Sequence, residues 1–244
     1  MRPLINFKNW LPYWLVELVK ILIWSAGLYF LKRSDYNIFL LLLYLGLSGY
    51  IFFVPRARLI FTHLVLFILA PLTLSLVNSQ TNILLAVGYF GITLFILNLA
   101  KNPIFLARAL IYKIGFTAVF LAIFIVFFIS GIAQNFIFKE LMIFLVAIFL
   151  FLEFLKESTP LTPRRRLLFS LIFGLILIEC LWAVSLLPIG FINSSVFLTL
   201  IIYLIANFLL EHLKGTLNRR KILEHFTIFI ILILFIFGLS KWTI

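Results

Sequence analysis

Nine apolar runs of 16 to 21 residues, parted only by short clusters of charge, proline and asparagine, constrain this chain more than any other feature of its sequence. They cover approximately 13–31, 37–54, 59–77, 83–100, 114–133, 136–155, 167–187, 194–213 and 225–240. A helix rises 1.5 Å per residue, so about 20 apolar residues cross the ~30 Å hydrocarbon core of a bilayer. Barrel strands would be alternating stretches of ~10 residues with a polar lumen face. These runs are continuous and rich in Leu, Ile and Phe, so helices are expected. The fold class read from them is an all-α polytopic transmembrane bundle of about nine spans, forming a single integral membrane domain over 1–244.

Composition removes the soluble alternative. Of the 244 residues 65% are hydrophobic and 11% charged, against about 45–50% apolar and ~25% charged in a soluble domain. A globule of this size needs a polar shell, and 28 charged side chains cannot supply it. No small-residue cleavage site follows a short apolar stretch near the amino terminus, so the first span is expected to serve as its own uncleaved insertion signal. Pro3 to Pro12, with Phe7, Lys8 and Trp10, reads as an interfacial lead-in, and Pro103 to Lys113 as a second one.

The net charge of +12 would suggest nucleic acid in a soluble protein, but here the cations sit in short loops between spans, which speaks for topology instead. With the amino terminus inside, fifteen of the 20 Lys and Arg fall on the cytoplasmic side and four, Lys32, Arg33, Lys139 and Lys241, outside. That asymmetry favours nine spans with the carboxyl terminus out. Eight result if the fifth and sixth segments, separated by Gln134 and Asn135, form a broken or re-entrant pair. An inner or plasma membrane suits such a bundle.

Val54-Pro-Arg-Ala-Arg-Leu-Ile-Phe61 resembles Thr162-Pro-Arg-Arg-Arg-Leu-Leu-Phe169, and both open an inside-to-outside helix. Spans two to five would then map onto six to nine as a parallel four-plus-four repeat after the first helix, an arrangement many transporters carry. The alternative is that Pro-Arg-rich inner loops simply recur.

An ionisable side chain within the bilayer costs ~2.5–3.5 kcal/mol or more on insertion scales, so it marks a partner, a cavity or a pathway. Glu179 lies twelve residues into the seventh run, roughly 18 Å along it and so near mid-membrane. With Trp182 one turn on, it is the candidate substrate- or proton-binding group, against a structural hydrogen bond to a neighbouring helix. Glu17 and Lys20, three residues apart, are expected to pair on one helix face. Glu153 and Glu211 fall near inner helix ends and read as interfacial. Pro71 could kink the third span, and Gly88 and Gly91 could admit a close neighbour.

Arg164, Arg165, Arg166, Arg219, Arg220 and Lys221 make a basic inner rim that would attract anionic lipid headgroups at ~1 kcal/mol per charge. Nucleic acid is not expected, because these runs are short and tied between helices. Cys180 is the only cysteine, so no internal disulfide or cysteine-based metal spacing is available. No metal constellation, phosphate-cradling loop or dinucleotide fingerprint is present, and no cofactor is expected.

Gly46-Leu47-Ser48-Gly49 resembles the Gly-x-Ser-Gly of rhomboid intramembrane proteases, and His63 opens the next helix at a similar depth. That family draws its histidine from a later helix and works toward the outer face, whereas this pair would face the cytoplasm. Taken whole, a chain so rich in Phe, Ile and Leu with minimal loops resembles the uncharacterised multi-pass membrane proteins of bacteria with reduced genomes, a resemblance that implies no activity. The leading functional reading is a carrier or lipid-handling transporter. The alternative is a non-catalytic membrane subunit or scaffold of an envelope complex with membrane protein partners, and a lipid-modifying enzyme comes third.

Overall fold

A backbone in lipid must satisfy its N–H and C=O groups within its own segment, which leaves the helix as the form open to these runs. The computed structural model describes residues 10–52, 59–101, 108–130 and 136–239. Among them all regular structure is α-helical, in nine helices: α1 (Trp10–Arg33), α2 (Ile38–Phe52), α3 (Ile60–Leu76), α4 (Gln80–Lys101), α5 (Arg108–Ile129), α6 (Phe136–Ser158), α7 (Pro163–Ser185), α8 (Phe191–Leu213) and α9 (Arg219–Leu239). By length and composition α4, α5, α7, α8 and α9 can cross a membrane, while α2 and α3 are apolar but shorter. The chain is a helical membrane protein. The first lead-in before Trp10, Arg56 and Arg58, the 102–107 portion of the second lead-in, the Gln134–Asn135 break and Lys241 lie outside the described residues.

Helix ends depart from the hydropathy boundaries where polar residues are themselves helical. Thr162 is extended before α7 and Pro163 takes the first position, where its missing N–H costs no helical bond. Arg164 to Arg166 are therefore already helical, and α7 starts four residues before the apolar run at 167. At the other hairpin Gly215 (φ 66) closes α8, with Gly215 N–H on His212 O and Thr216 N–H on Glu211 O, both 3.0 Å, the paired bonds of a Schellman end. Asn218 then accepts the Lys221 N–H at 2.8 Å and starts α9 six residues ahead of 225.

Between α1 and α2 the chain reverses through two consecutive left-handed residues, Asp35 (φ 51) and Tyr36 (φ 57). Asn37 caps α2 by accepting the Phe39 N–H at 3.0 Å. Lys32 Nζ stands 5.6 Å from the centre of the Tyr36 ring. Burial pushes the Tyr36 phenol up to about 12, so this contact is a cation on a neutral ring.

The chain forms two compact units, Met1–Val119 and Phe120–Ile244, dividing within α5. In the first, α1 packs on α2, α3 and α4, and α4 also packs on α3. A β-carbon at Gly91 would meet Ser25 Oγ at 2.8 Å, so this glycine lets α4 approach α1. Gly88 and Gly46 have nothing within 4 Å of the same position, so the close approach expected at Gly88 does not occur, nor does Gly46 admit a neighbour. Pro71 is buried within a helix that continues to Leu76. In the second unit the order is sequential, α6 on α7, α7 on α8 and α8 on α9.

Van der Waals fit replaces the hydrophobic effect inside a bilayer, and both cores are built of rings and branched chains. Phe151 and Phe173 stack at 3.7 Å with their planes 2° apart, and the Phe120 ring meets Phe173 edge-on at 6.1 Å. Beside them Gly174 faces the Phe144 ring and Ile148. Hydroxyls inside helices bond back to carbonyls of the preceding turn, as Thr73 does to Leu69, Thr93 to Tyr89 and Ser170 to Arg166. They gather at the start of α8, where Ser194, Ser195 and Thr199 bond to Ile189, Phe191 and Ser195. By contrast α6 has no Ser or Thr before Ser158.

Candidate functional site

The packed stripe of α7 is Ser170, Phe173, Gly174, Leu177, Leu181 and Val184. A 3.6-residue period puts Leu168, Ile172, Leu175, Glu179 and Trp182 on the opposite side, and all of these are exposed. Trp182 is 56% exposed. Arg164 and Arg165, also exposed, open the same face at the amino end of the helix. One helix thus presents two guanidinium groups, three turns of aliphatic surface, a carboxyl group and an indole in line. From the two ends of α7, sixteen residues before Glu179 and six after it, the carboxyl lies about 24 Å and 9 Å along the axis. The early start of α7 sets it nearer the carboxyl end than the middle of the helix.

Arg166, Arg219, Arg220 and Lys221 complete the cations singled out from the sequence. Because α7, α8 and α9 run in alternating directions, the start of α7, the end of α8 and the start of α9 meet at one end of the second unit. Among the described residues, Arg164, Arg165, Arg166, Arg219 and Arg220 form no ion pair. Lys221 instead lies 3.7 Å from Glu211 Oε1, and His225 Nε2 reaches the same oxygen at 3.2 Å. This Glu211–His225–Lys221 group was missed in the sequence, where Glu211 and His225 fall in different runs; the Gly215 reversal brings them together. Glu153, expected at the interface, is only 5% exposed.

Glu17 and Lys20 lie together in α1, with Lys20 Nζ donating to Glu17 Oε1 at 2.8 Å and the carboxyl buried. Removing one partner of such a pair strands the other, whereas replacing both with apolar groups does not. Lys20→Met is therefore expected to destabilise the first unit more than Glu17→Leu/Lys20→Leu does, read from the SDS fraction that unfolds half the protein in mixed micelles.

Ser48 and His63 do not form a protease pair. The Ser48 hydroxyl donates to Tyr44 O at 2.6 Å and accepts the Trp24 indole N–H at 3.0 Å. His63 Nδ1 is 2.6 Å from Leu59 O, a pure acceptor, so this nitrogen carries the proton. Nε2 faces the Asn98 side chain at 3.1 Å. Turning that amide by 180° lets its N–H donate to the ring and gives the otherwise unpartnered Asn98 Nδ2 an acceptor. Both side chains lock helices together. A double-mutant cycle of Trp24→Phe and Ser48→Ala is expected to return a coupling of about 0.6 kcal/mol, the average for hydrogen bonds inside membranes, measured by the same unfolding titration.

Among the described residues no group of three or more His, Cys, Asp and Glu could hold a metal ion. A family model described as a protein of unknown function, DUF5656, matches residues 8–238. The chain belongs to the DUF5656 family. No curated protein and no solved structure matches it. In this DUF5656 member the match runs through both units, and Glu17, Lys20, Glu179, Trp182 and the basic end of the second unit all fall inside it.

Proposed function

We propose that this DUF5656 protein is a lipid-handling carrier of the plasma membrane, crossing it nine times with its amino terminus inside, and that the exposed face of α7 is its working surface. The observation that carries this reading is the alignment of Arg164 and Arg165, an uncharged aliphatic stretch and Glu179 on one exposed helix face. A phosphate would dock on the guanidinium groups, which hold anions in bidentate fashion. Acyl chains would lie along the leucines, and the Glu179 carboxyl would accept hydrogen bonds from a passing headgroup.

Proteoliposomes carrying fluorescent phosphatidylglycerol test this. Protein-dependent exchange between leaflets is expected, and Glu179→Leu should slow it. Arg164→Gln/Arg165→Gln should weaken the preference for phosphatidylglycerol over phosphatidylcholine by roughly tenfold or more, from ~1 kcal/mol per cation. Exchange no faster than in protein-free vesicles would overturn the carrier. The lone carboxyl on an apolar face favours a second reading, a membrane subunit whose Glu179 bonds a partner helix. In that case a photo-crosslinker at position 179 in native membranes captures one protein, and the reconstituted chain moves no lipid.

A further inference from the structure

In the first unit α1 and α2 part along a groove of about 150 Å³. Its floor includes Trp24, Leu31 and Tyr44, all buried, and its rim Ile23, Leu43 and Leu47, all exposed. It therefore opens on the lipid-facing side. It follows α1 from Ile23 to Leu31, eight residues or about 12 Å along the helix. No ionisable carboxylate, amine or guanidinium lines it. Immediately beyond Leu31 stand Lys32 and Arg33, at the end of α1. Among the described residues neither has an ion-pair partner.

We propose that this groove holds one acyl chain of a phospholipid whose anionic phosphate sits at Lys32 and Arg33. Charge complementarity selects this occupant. An elongated uncharged channel runs along α1 and ends beside two cations that have no ion-pair partner among the described residues, where a headgroup would lie if α1 spans the bilayer. A partner helix would be too wide for the space, and a soluble anion would gain nothing from its apolar walls. The Tyr44 hydroxyl is buried beside Ser48, whose own hydroxyl is engaged with Tyr44 O and Trp24, and it takes no part in holding the acyl chain. A saturated chain supplies no acceptor and leaves that hydroxyl as it is. The site requires the membrane setting but is independent of the carrier reading on α7.

The test reconstitutes the full chain in nanodiscs containing phosphatidylglycerol with a diazirine in mid-chain, irradiates it and locates the adducts by mass spectrometry. Adducts are expected to concentrate at Leu43, Tyr44 and Leu47, well above those at exposed Leu234 of α9. Gly27→Leu puts a side chain into the groove from a β-carbon that meets only Tyr44 Cδ2, at 3.8 Å. It should lower labelling on α2 to the level of Leu234. Gly46→Leu, which extends into open space, should leave it unchanged. Lys32→Gln/Arg33→Gln should reduce labelling by about tenfold or more, at ~1 kcal/mol per cation, and phosphatidylcholine should label less than phosphatidylglycerol. Labelling of α2 no stronger than at Leu234 in the unaltered chain overturns the proposal whatever the variants do. Loss of labelling in Tyr44→Phe would also overturn it, in favour of a lipid with an oxygen within its chain.

Discussion

Replacing Gly174 with leucine is expected to cost the second unit its fold. The β-carbon alone would lie 2.9 and 3.0 Å from two atoms of the Phe144 ring and 3.1 Å from Ile148. The ring belongs to α6 and is half-buried, and a leucine at 174 would have to push it out of the α6–α7 contact. Overpacking by a few methylene groups typically costs ~1–3 kcal/mol, and a whole leucine side chain demands separation of the helices. The expected outcome is a sharp fall in monodisperse protein after extraction, with Gly174→Ala intermediate. Gly88→Leu, whose side chain enters open space, should behave as the unaltered chain does.

Phe173→Ala should produce a loss of comparable size by the opposite route. The ring is 2% exposed and stacks on Phe151, itself fully buried, with Phe120 at its edge. Truncating a core phenylalanine costs ~3–5 kcal/mol in soluble proteins. Part of that is transfer from water, which is absent here because the separated helices remain in lipid. The dispersion lost around an empty ring site remains, so a cost near the lower end, about 3 kcal/mol, is expected. Unfolding in SDS mixed micelles measures it, and Phe173→Leu should recover most of the loss. If Phe173→Ala were neutral, the stacked rings would not hold this unit together.

Hydropathy shows where a chain enters and leaves the hydrocarbon, and for these helices that places most ends to within about four residues and the starts of α5 and α9 to within six. It reads crossing rather than helicity, which is why α7 and α9 begin well before their apolar runs, at Pro163 and at the Asn218 cap. Which face packs is much harder to read. In a soluble helix the polar side marks solvent and the apolar side the core, but lipid and core are both apolar, so the amphipathic stripe is missing. Nothing in the sequence separates Gly91, against Ser25, from Gly88, against nothing. The same blindness hid the Trp24–Ser48 and His63–Asn98 contacts, whose members lie 24 and 35 residues apart. Glu17 and Lys20 were legible because helical spacing alone brings them together. The exposed setting of Glu179 was not legible, because it required a helix with a known inner side.

The back-bonded hydroxyls of α8 have a mechanical consequence. Ser195 and Thr199 draw on carbonyls that also serve the helix, which slightly loosens those turns and favours bending, while Ser194 bonds to the Ile189 carbonyl just ahead of it. Ser195 and Thr199 place two such points within the first three turns, whereas α6 carries no Ser or Thr before Ser158 to compete for its carbonyls. Stress applied to the second unit would therefore flex α8 near its beginning before it bent α6. The unit combines a rigid strut with a compliant one, and its softest stretch is the amino end of α8.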